Sequence, residues 1–283
     1  WTQENGSLAL ETLRDATRQA GYLGCATRTD HRYTVNNTLE PETDYRWALT
    51  HLIQGYESNG SQLRPASSLT LTTLAHTDVV NIRRLADDAE RLTQSVQAGT
   101  DTLYFTAGAN PFGSSKEQKF CLISDCTHGE TFQVKKRQKD QVRLQKSLQA
   151  NYTQNARAGP LINETYYVSR GISKLPVLAR RYSTTVAGDG PVLRHEELVE
   201  GIENLQILYG EDSLNNDGIA DRFVSADTDD LELNRVVSLR LAVVVVSAES
   251  IGAPAIDYEI FGQKIRPPRD GRLRKVFTTT VHL

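Results

Sequence analysis

Six histidines, three cysteines and one acidic loop are the residues whose types and spacing could do chemistry in this 283-residue chain. The histidines, at 31, 51, 76, 128, 195 and 282, are scattered. None stands in an HExxH zinc-binding arrangement, and no GxSxG elbow sets a nucleophile beside a base. His195-Glu196-Glu197 has the residue types for proton transfer, but it borders the Gly190-Pro191 turn and reads as a solvated loop. No Walker loop and no GxGxxG is present, so nucleotide chemistry has no support. Cys25, Cys121 and Cys126 form no CxxC pair and have no histidine at ligand spacing. An odd count fits one disulfide plus a buried thiol in an oxidising compartment, or three thiols in a reducing one.

The acidic loop runs from Asp212 to Asp221, after a strand-like run that ends at Gly210 and before Phe223-Val224. Asp212, Asn215, Asp217 and Asp221 supply clustered carboxylate and amide oxygens, and Gly218 permits a sharp turn. A hard cation such as Ca2+ requires such a set. An EF-hand register puts Ser213 in the first position, however, and no bidentate glutamate follows. The competing reading is an Asn/Asp/Gly turn whose side chains cap their own backbone. Basic residues gather at Lys135, Lys136, Arg137, Lys139, Arg143 and Lys146, and again at Lys264, Arg266, Arg269, Arg272, Arg274 and Lys275. They could meet DNA or an acidic partner, but the first cluster lacks interleaved aromatics and reads as a solvated face. Five Asn-x-Ser/Thr sequons, at Asn5, Asn36, Asn59, Asn151 and Asn163, would matter only in a secreted eukaryotic chain.

The elements that must position these residues are legible in part. From Thr2 to Leu23, Ala9, Leu13, Ala16, Ala20 and Leu23 recur at spacings of four and three, which predicts an amphipathic helix stopped by Gly21 and Gly24. Ser7 is followed three residues later by Leu10, so no capping box starts it, and the helix is expected to continue upstream of Trp1. After Cys25 short strand-like runs alternate with Gly, Asn, Asp and Pro clusters, as in an antiparallel meander. The strongest strands are Leu205–Tyr209, Val237–Val245 and Lys275–Leu283, with shorter ones at Tyr166–Val168 and Leu122–Ile123. Helical spacing also predicts helices over Ile82–Gln97 and Lys136–Gln149, the second read alternatively as an insertion. No fixed repeat appears, and one compact unit with surface excursions is expected.

A net charge of -3, from 32 Lys+Arg against 35 Asp+Glu, leaves no excess positive charge for bulk DNA binding. The longest apolar run, Leu241 to Val246, is far short of the roughly 18 residues of a membrane span. The chain contains no methionine, opens at Trp1 and ends inside a strand-like run, so both ends are expected to be cuts in a longer polypeptide.

These residues together resemble a known family. Gln3-Glu4-Asn5-Gly6-Ser7-Leu8-Ala9-Leu10 through Ala20-Gly21-Tyr22-Leu23-Gly24-Cys25 is similar to the helix exit of PilW-type minor pilins of bacterial type IV pili. Gly55-Tyr56-Glu57, Leu122-Ile123-Ser124-Asp125-Cys126 with Phe132-Gln133-Val134, and Leu198 to Gln206 before Tyr209-Gly210 resemble it too. So do Asp217-Gly218 with Asp221-Arg222-Phe223-Val224, Asn234 to Arg240, and Leu273 to Val281.

The resemblance implies an α+β type IV pilin-like fold: residues 1–24 as the C-terminal half of the pilin helix, packed on an antiparallel sheet within a β-rich domain, 25–283, with large loop insertions. It implies a leader and a hydrophobic half-helix ahead of Trp1 that anchors the protein in the inner membrane, with the remainder periplasmic before assembly and in the extracellular pilus afterwards. It favours a Cys25–Cys126 disulfide, with Cys121 departing from the family pattern as a buried thiol and Cys121–Cys126 as the rival pairing. The implied role is structural and not enzymatic: priming pilus assembly and joining a tip complex with other minor pilins and a PilY-type adhesin, in support of twitching motility, adhesion and DNA uptake. Ala9, Leu13, Ala16 and Ala20 are the expected assembly residues, though they must also bury against the chain's own sheet. Alternatives are a type II secretion pseudopilin of the J class, or a competence pilin that binds DNA through the basic clusters. A secreted hydrolase would need a nucleophile–base pair that the sequence does not display.

Overall fold

An alanine-lined helix, α1 (Thr2–Gln19), opens the chain and leaves strands for nearly all that follows. The computed structural model describes residues 1–24, 34–39, 44–47, 49, 51–109, 112, 120–186 and 190–283. The first group of strands is β1 (Thr34–Asn37), β2 (Ile53–Ser58), β3 (Leu63–Arg64), β4 (Thr77–Leu85), β5 (Glu90–Arg91), β6 (Thr102–Tyr104), β7 (Phe120–Ser124), β8 (His128–Arg137) and β9 (Gln141–Leu144). Then come β10 (Arg157–Arg170), β11 (Pro176–Val186), β12 (Gly190–Glu200), β13 (Ile202–Glu211) and β14 (Arg222–Val224). The last are β15 (Val236–Val246), β16 (Tyr258–Ile260), β17 (Gln263–Ile265) and β18 (Arg274–His282).

Strands β1 to β12 join in one 12-stranded network ordered β3-β2-β4-β10-β7-β8-β9-β6, with β1 added parallel to β8, β5 and β11 paired to β10, and β12 paired to β11. The long β10 holds it together, because its first residues pair with β5 and β7 and its later ones with β4 and β11. Gly159 lies at the changeover, where a Cβ would come 2.8 Å from Ala89 Cα; only glycine permits that approach. The chain crosses to the second sheet between β12 and β13 at Gly201, whose φ of 78° places it in the left-handed region. That sheet is antiparallel, ordered β14-β13-β15-β18.

The main core lies between these sheets and α1. Ala9, Leu13, Ala16 and Ala20 meet Ile202, Leu205, Leu241, Val243 and Val281 of the four-stranded sheet, and Val80, Ile82 and Val168 of the larger one. The expected helix on an antiparallel sheet is therefore present. Beyond that sheet, however, the chain builds a second and larger one in place of extended loops, so it is mostly β. In β15 the apolar alternation understates burial. Ala242 and Val244 on its second face are covered by Ile260 of the β16–β17 hairpin.

Both additional helices expected from spacing are absent. Ile82 belongs to β4, paired with Ile53 on one side and Glu164 on the other, and its β-branched run Val79-Val80 suits a pleated, doubly covered strand. Lys136–Gln149 contains the end of β8, a turn and β9, with Val134 opposite Leu144 and Arg137 opposite Val142. His195-Glu196-Glu197 lies within β12 and is no loop: His195 pairs in register with Arg181, and its Nδ1 is 2.7 Å from the Tyr167 hydroxyl.

Candidate functional site

Helix α1 is the element around which the functional reading turns. Its inward stripe is Gly6, Ala9, Leu13, Ala16 and Thr17, followed by Ala20. Small side chains let the helix axis come close to the sheet; a Cβ on Gly6 would collide with the Phe277 ring of β18. All four expected assembly residues, Ala9, Leu13, Ala16 and Ala20, are buried in this chain's own core. They are therefore corrected from a docking surface to core. The sheet takes the same apolar stripe that a neighbour would have needed.

The exposed side of the helix is polar apart from Leu8, at 50% exposure; at the two ends Trp1 (45%) and Tyr22 (37%) are also partly open, the Trp1 ring lying over Gly201 and the Tyr22 hydroxyl accepting from Arg157. Gln3, Glu4, Ser7, Glu11, Asp15 and Arg18 lie in the open with Leu8. Asn5 Nδ2 donates to the Glu200 carbonyl at 2.9 Å, which ties the helix to the link between the two sheets. The exit is fastened more heavily. Gly21, with φ 74°, donates its amide to the Arg83 carbonyl at 3.0 Å. The Leu85 amide donates to the Tyr22 carbonyl at 2.8 Å, and Ser124 Oγ to the Leu23 carbonyl at 2.6 Å.

Behind this exit Arg83 is buried, and no carboxylate among the described residues is bonded to it. Its Nε donates to the Tyr45 carbonyl at 2.8 Å and its Nη1 to the His51 carbonyl at 2.6 Å. Burial pushes its pKa down to about 10, which leaves it charged at neutral pH. Asn163 Nδ2 also donates to the Tyr45 and Arg46 carbonyls, each at 2.9 Å, so one sequon asparagine is a buried bracket for the Tyr45-Arg46 backbone. Sequence reasoning missed both roles, because a charged residue in a strand-like run carries no mark of what it will face.

A second buried polar group joins the sheets. Glu57 and Asp78 are direct cross-strand neighbours, and Asp78 Oδ2 accepts the Ile207 amide of β13 at 2.6 Å. Burial, then the Glu57 carboxyl, push Asp78 well above the ordinary carboxylate range; burial likewise raises Glu57. The Tyr209 hydroxyl lies buried nearby, over Gly55, where a Cβ would collide with it. A cavity of about 630 Å³ opens beside Glu57 with Asp227, Arg64, His76 and Ser58 on its walls, and the Ser58 hydroxyl bonds Thr73 Oγ1 at 2.6 Å instead of a histidine.

The acidic loop holds itself. Asp212 Oδ1 accepts the Asn216 amide at 2.9 Å and Oδ2 the Gly218 amide at 2.8 Å; Asp221 Oδ2 accepts the amides of Ser213 and Leu214 at 2.8 and 2.9 Å. Asp217 Oδ1 accepts the Ile219 amide at 2.8 Å, and Asn215 Nδ2 donates to Asp217 Oδ2 at 3.1 Å. The four candidate Ca2+ ligands are thus engaged as turn caps and with one another, the arrangement of the competing reading. Among the described residues no group of three or more His, Cys, Asp or Glu is placed to hold a metal ion.

Cys126 is disulfide-bonded, whereas Cys121 keeps its thiol, fully buried in β7. The rival Cys121–Cys126 pairing is thereby removed. Cys25 lies outside the described residues. The basic clusters do not merge into one free patch: Arg274 bonds Glu203 at 2.6 Å and Asp270 at 2.8 Å, and Lys264 and Arg266 are 3.6 and 3.5 Å from Asp257. No helix among the described residues is long and apolar enough to cross a membrane.

The family model described as type IV pilus-assembly protein W, PilW, matches residues 165–283. That segment begins within β10 and contains the β11–β12 hairpin and the whole four-stranded sheet that carries α1. The matched segment therefore includes most of the surface against which the helix is buried. Among solved structures, a type IV-like pilin from Thermus thermophilus is similar at 14% identity, over 99% of this chain and 95% of that one, with a TM-score of 0.39. No curated protein matches the chain.

Proposed function

We propose that this chain is a minor pilin that helps to prime type IV pilus assembly and stands in the tip complex beside other minor pilins and a PilY-type adhesin. The observation that carries the reading is that the PilW segment builds the sheet onto which α1 packs. The work is docking. With the small-residue stripe covered internally, the surface offered to neighbouring helices is the exposed side of α1 at Leu8, where apolar area remains to be buried. A Cys25–Cys126 disulfide, in the oxidising periplasm, would pin the helix exit to the turn after β7 and keep that face in a fixed attitude under load. Anchoring in the inner membrane by a preceding hydrophobic half-helix, and support of twitching motility and DNA uptake, belong to the same reading.

The test is capture of the tagged chain with each of the other minor pilins and the adhesin, paired with piliation of cells that lack it. Capture of at least one minor pilin that is lost in Leu8→Asp supports the reading. Capture of none, with normal piliation in the deletion strain, overturns it.

A further inference from the structure

Arg91 of β5 and Arg157 at the start of β10 are directly opposite in antiparallel register, so both side chains leave the same face of the sheet. Like charges so placed repel, and the arrangement destabilises the sheet unless a counter-charge sits between them. Arg157 directs Nη1 to the Tyr22 hydroxyl at 2.9 Å and Nη2 to the Ala89 carbonyl at 2.7 Å, both neutral acceptors, while its buried Nε has no partner. Arg91 is exposed and makes no ion pair among the described residues. Both line a cavity of about 500 Å³ that also includes Gly24, Asp125, Thr153 and Asn155. Among the described residues the one carboxylate in that lining is already occupied: Asp125 Oδ1 accepts the amides of Thr127 and His128, each at 2.8 Å, and the Thr127 hydroxyl at 3.0 Å.

The geometry points to an oxyanion site in this cavity, one that takes the phosphate or sulfate group of a soluble small molecule between Arg91 and Arg157. Arg91 supplies an unengaged guanidinium fork, suited to two oxygens at once. The Thr153 hydroxyl and the Asn155 amide add neutral donors at the rim. The volume leaves room for the body of a ligand larger than the bare ion. The site lies where the helix exit meets the larger sheet, since Arg157 also holds Tyr22 and its side chain packs 3.5 Å from the position of a Cβ on Gly24. A bound oxyanion would remove the repulsion beneath that junction and brace the exit of α1.

The experiment titrates the 283-residue chain with inorganic phosphate, and separately with inorganic sulfate, against sodium chloride at matched ionic strength. Melting temperature and the Nε–H NMR signal of Arg91 are followed together. The expected result is a saturable rise in melting temperature that chloride does not reproduce, with the Arg91 signal moving along the same curve. Arg91→Gln, an exposed position on a two-residue strand, should keep the wild-type circular dichroism and raise the half-saturating concentration at least tenfold. An equal rise in chloride, an Arg91 signal that stays still, or an Arg91→Gln protein that responds as the wild type does would each overturn the assignment.

Discussion

Glu57 and Asp78 face each other across the β2–β4 ladder, and Asp78 Oδ2 reaches over to hold the Ile207 amide of the other sheet. Two carboxyls so close, one of them only 3% exposed, share a proton more readily than they carry two charges. The pair therefore couples the junction between the sheets to pH. Both groups bind protons more tightly when folded. Their contribution is full below the unfolded carboxyl values of 3.8 and 4.5 and is lost as pH rises through the higher folded values. Asp78→Asn keeps the acceptor for Ile207 and needs no shared proton. It should flatten the decline in stability above pH 5 and raise stability at pH 8 by about 1 kcal/mol, the scale of one pKa unit. Urea melts at pH 5 and pH 8 give the comparison, and parallel pH profiles for the two proteins would contradict it.

Arg83→Leu removes the guanidinium that holds the Tyr45 and His51 carbonyls; the Tyr45 carbonyl keeps the Asn163 amide as donor, whereas the His51 carbonyl loses the donor that Arg83 supplied. The expected loss is about 1–3 kcal/mol per carbonyl left unsatisfied. Limited proteolysis should show new cleavage between residues 44 and 51 before the sheets open.

The two faces of α1 separate by substitution. Leu13→Ala should cost about 2–5 kcal/mol, because it opens a hole in the core between the sheets. Leu8→Asp should change stability by less than about 0.5 kcal/mol, since Leu8 faces solvent, yet abolish capture of partner pilins. Denaturant melts and pull-downs on the same preparations read both effects; equal capture by Leu8→Asp and wild type would place the docking surface elsewhere.

Asp212→Ala withdraws the caps of the Asn216 and Gly218 amides and should destabilise by about 1–2 kcal/mol. Added calcium should leave the melting temperature of the unmutated chain where it was. A calcium-dependent rise that disappears in Asp217→Ala would instead restore the loop as a metal site.

Local pattern was a good guide wherever one neighbour decides the outcome. The α1 stripe, its stop at Gly21, and the strands around Leu205, Val237 and Lys275 were all legible, because helical spacing and alternation report directly on which side chains must leave water. The same logic misread Leu85, Ala89, Leu92 and Val96, whose spacing of four and three arises as β4 ends and short β5 begins, and it misread Val142 and Leu144, whose alternation by two was the better signal. It also could not show that one stripe of alanines would be covered by the chain's own sheet. The pairing of Glu57 with Asp78, of Arg91 with Arg157, and of Arg83 with two distant carbonyls depends on strand register between segments far apart in the chain.

What the amino-acid order determined alone was an amphipathic helix at the start, a β-rich remainder, a self-capping acidic loop as one of two readings, and a family resemblance confined to no single motif. Only the tertiary structure decided which helix face stays open, that β10 pairs with β4, β5, β7 and β11 at the centre of a 12-stranded network, and which charges come to rest beside one another. The physical reason is that burial periodicity is written within a segment, whereas register, coverage and the meeting of charges are properties of pairs of segments that the fold brings together.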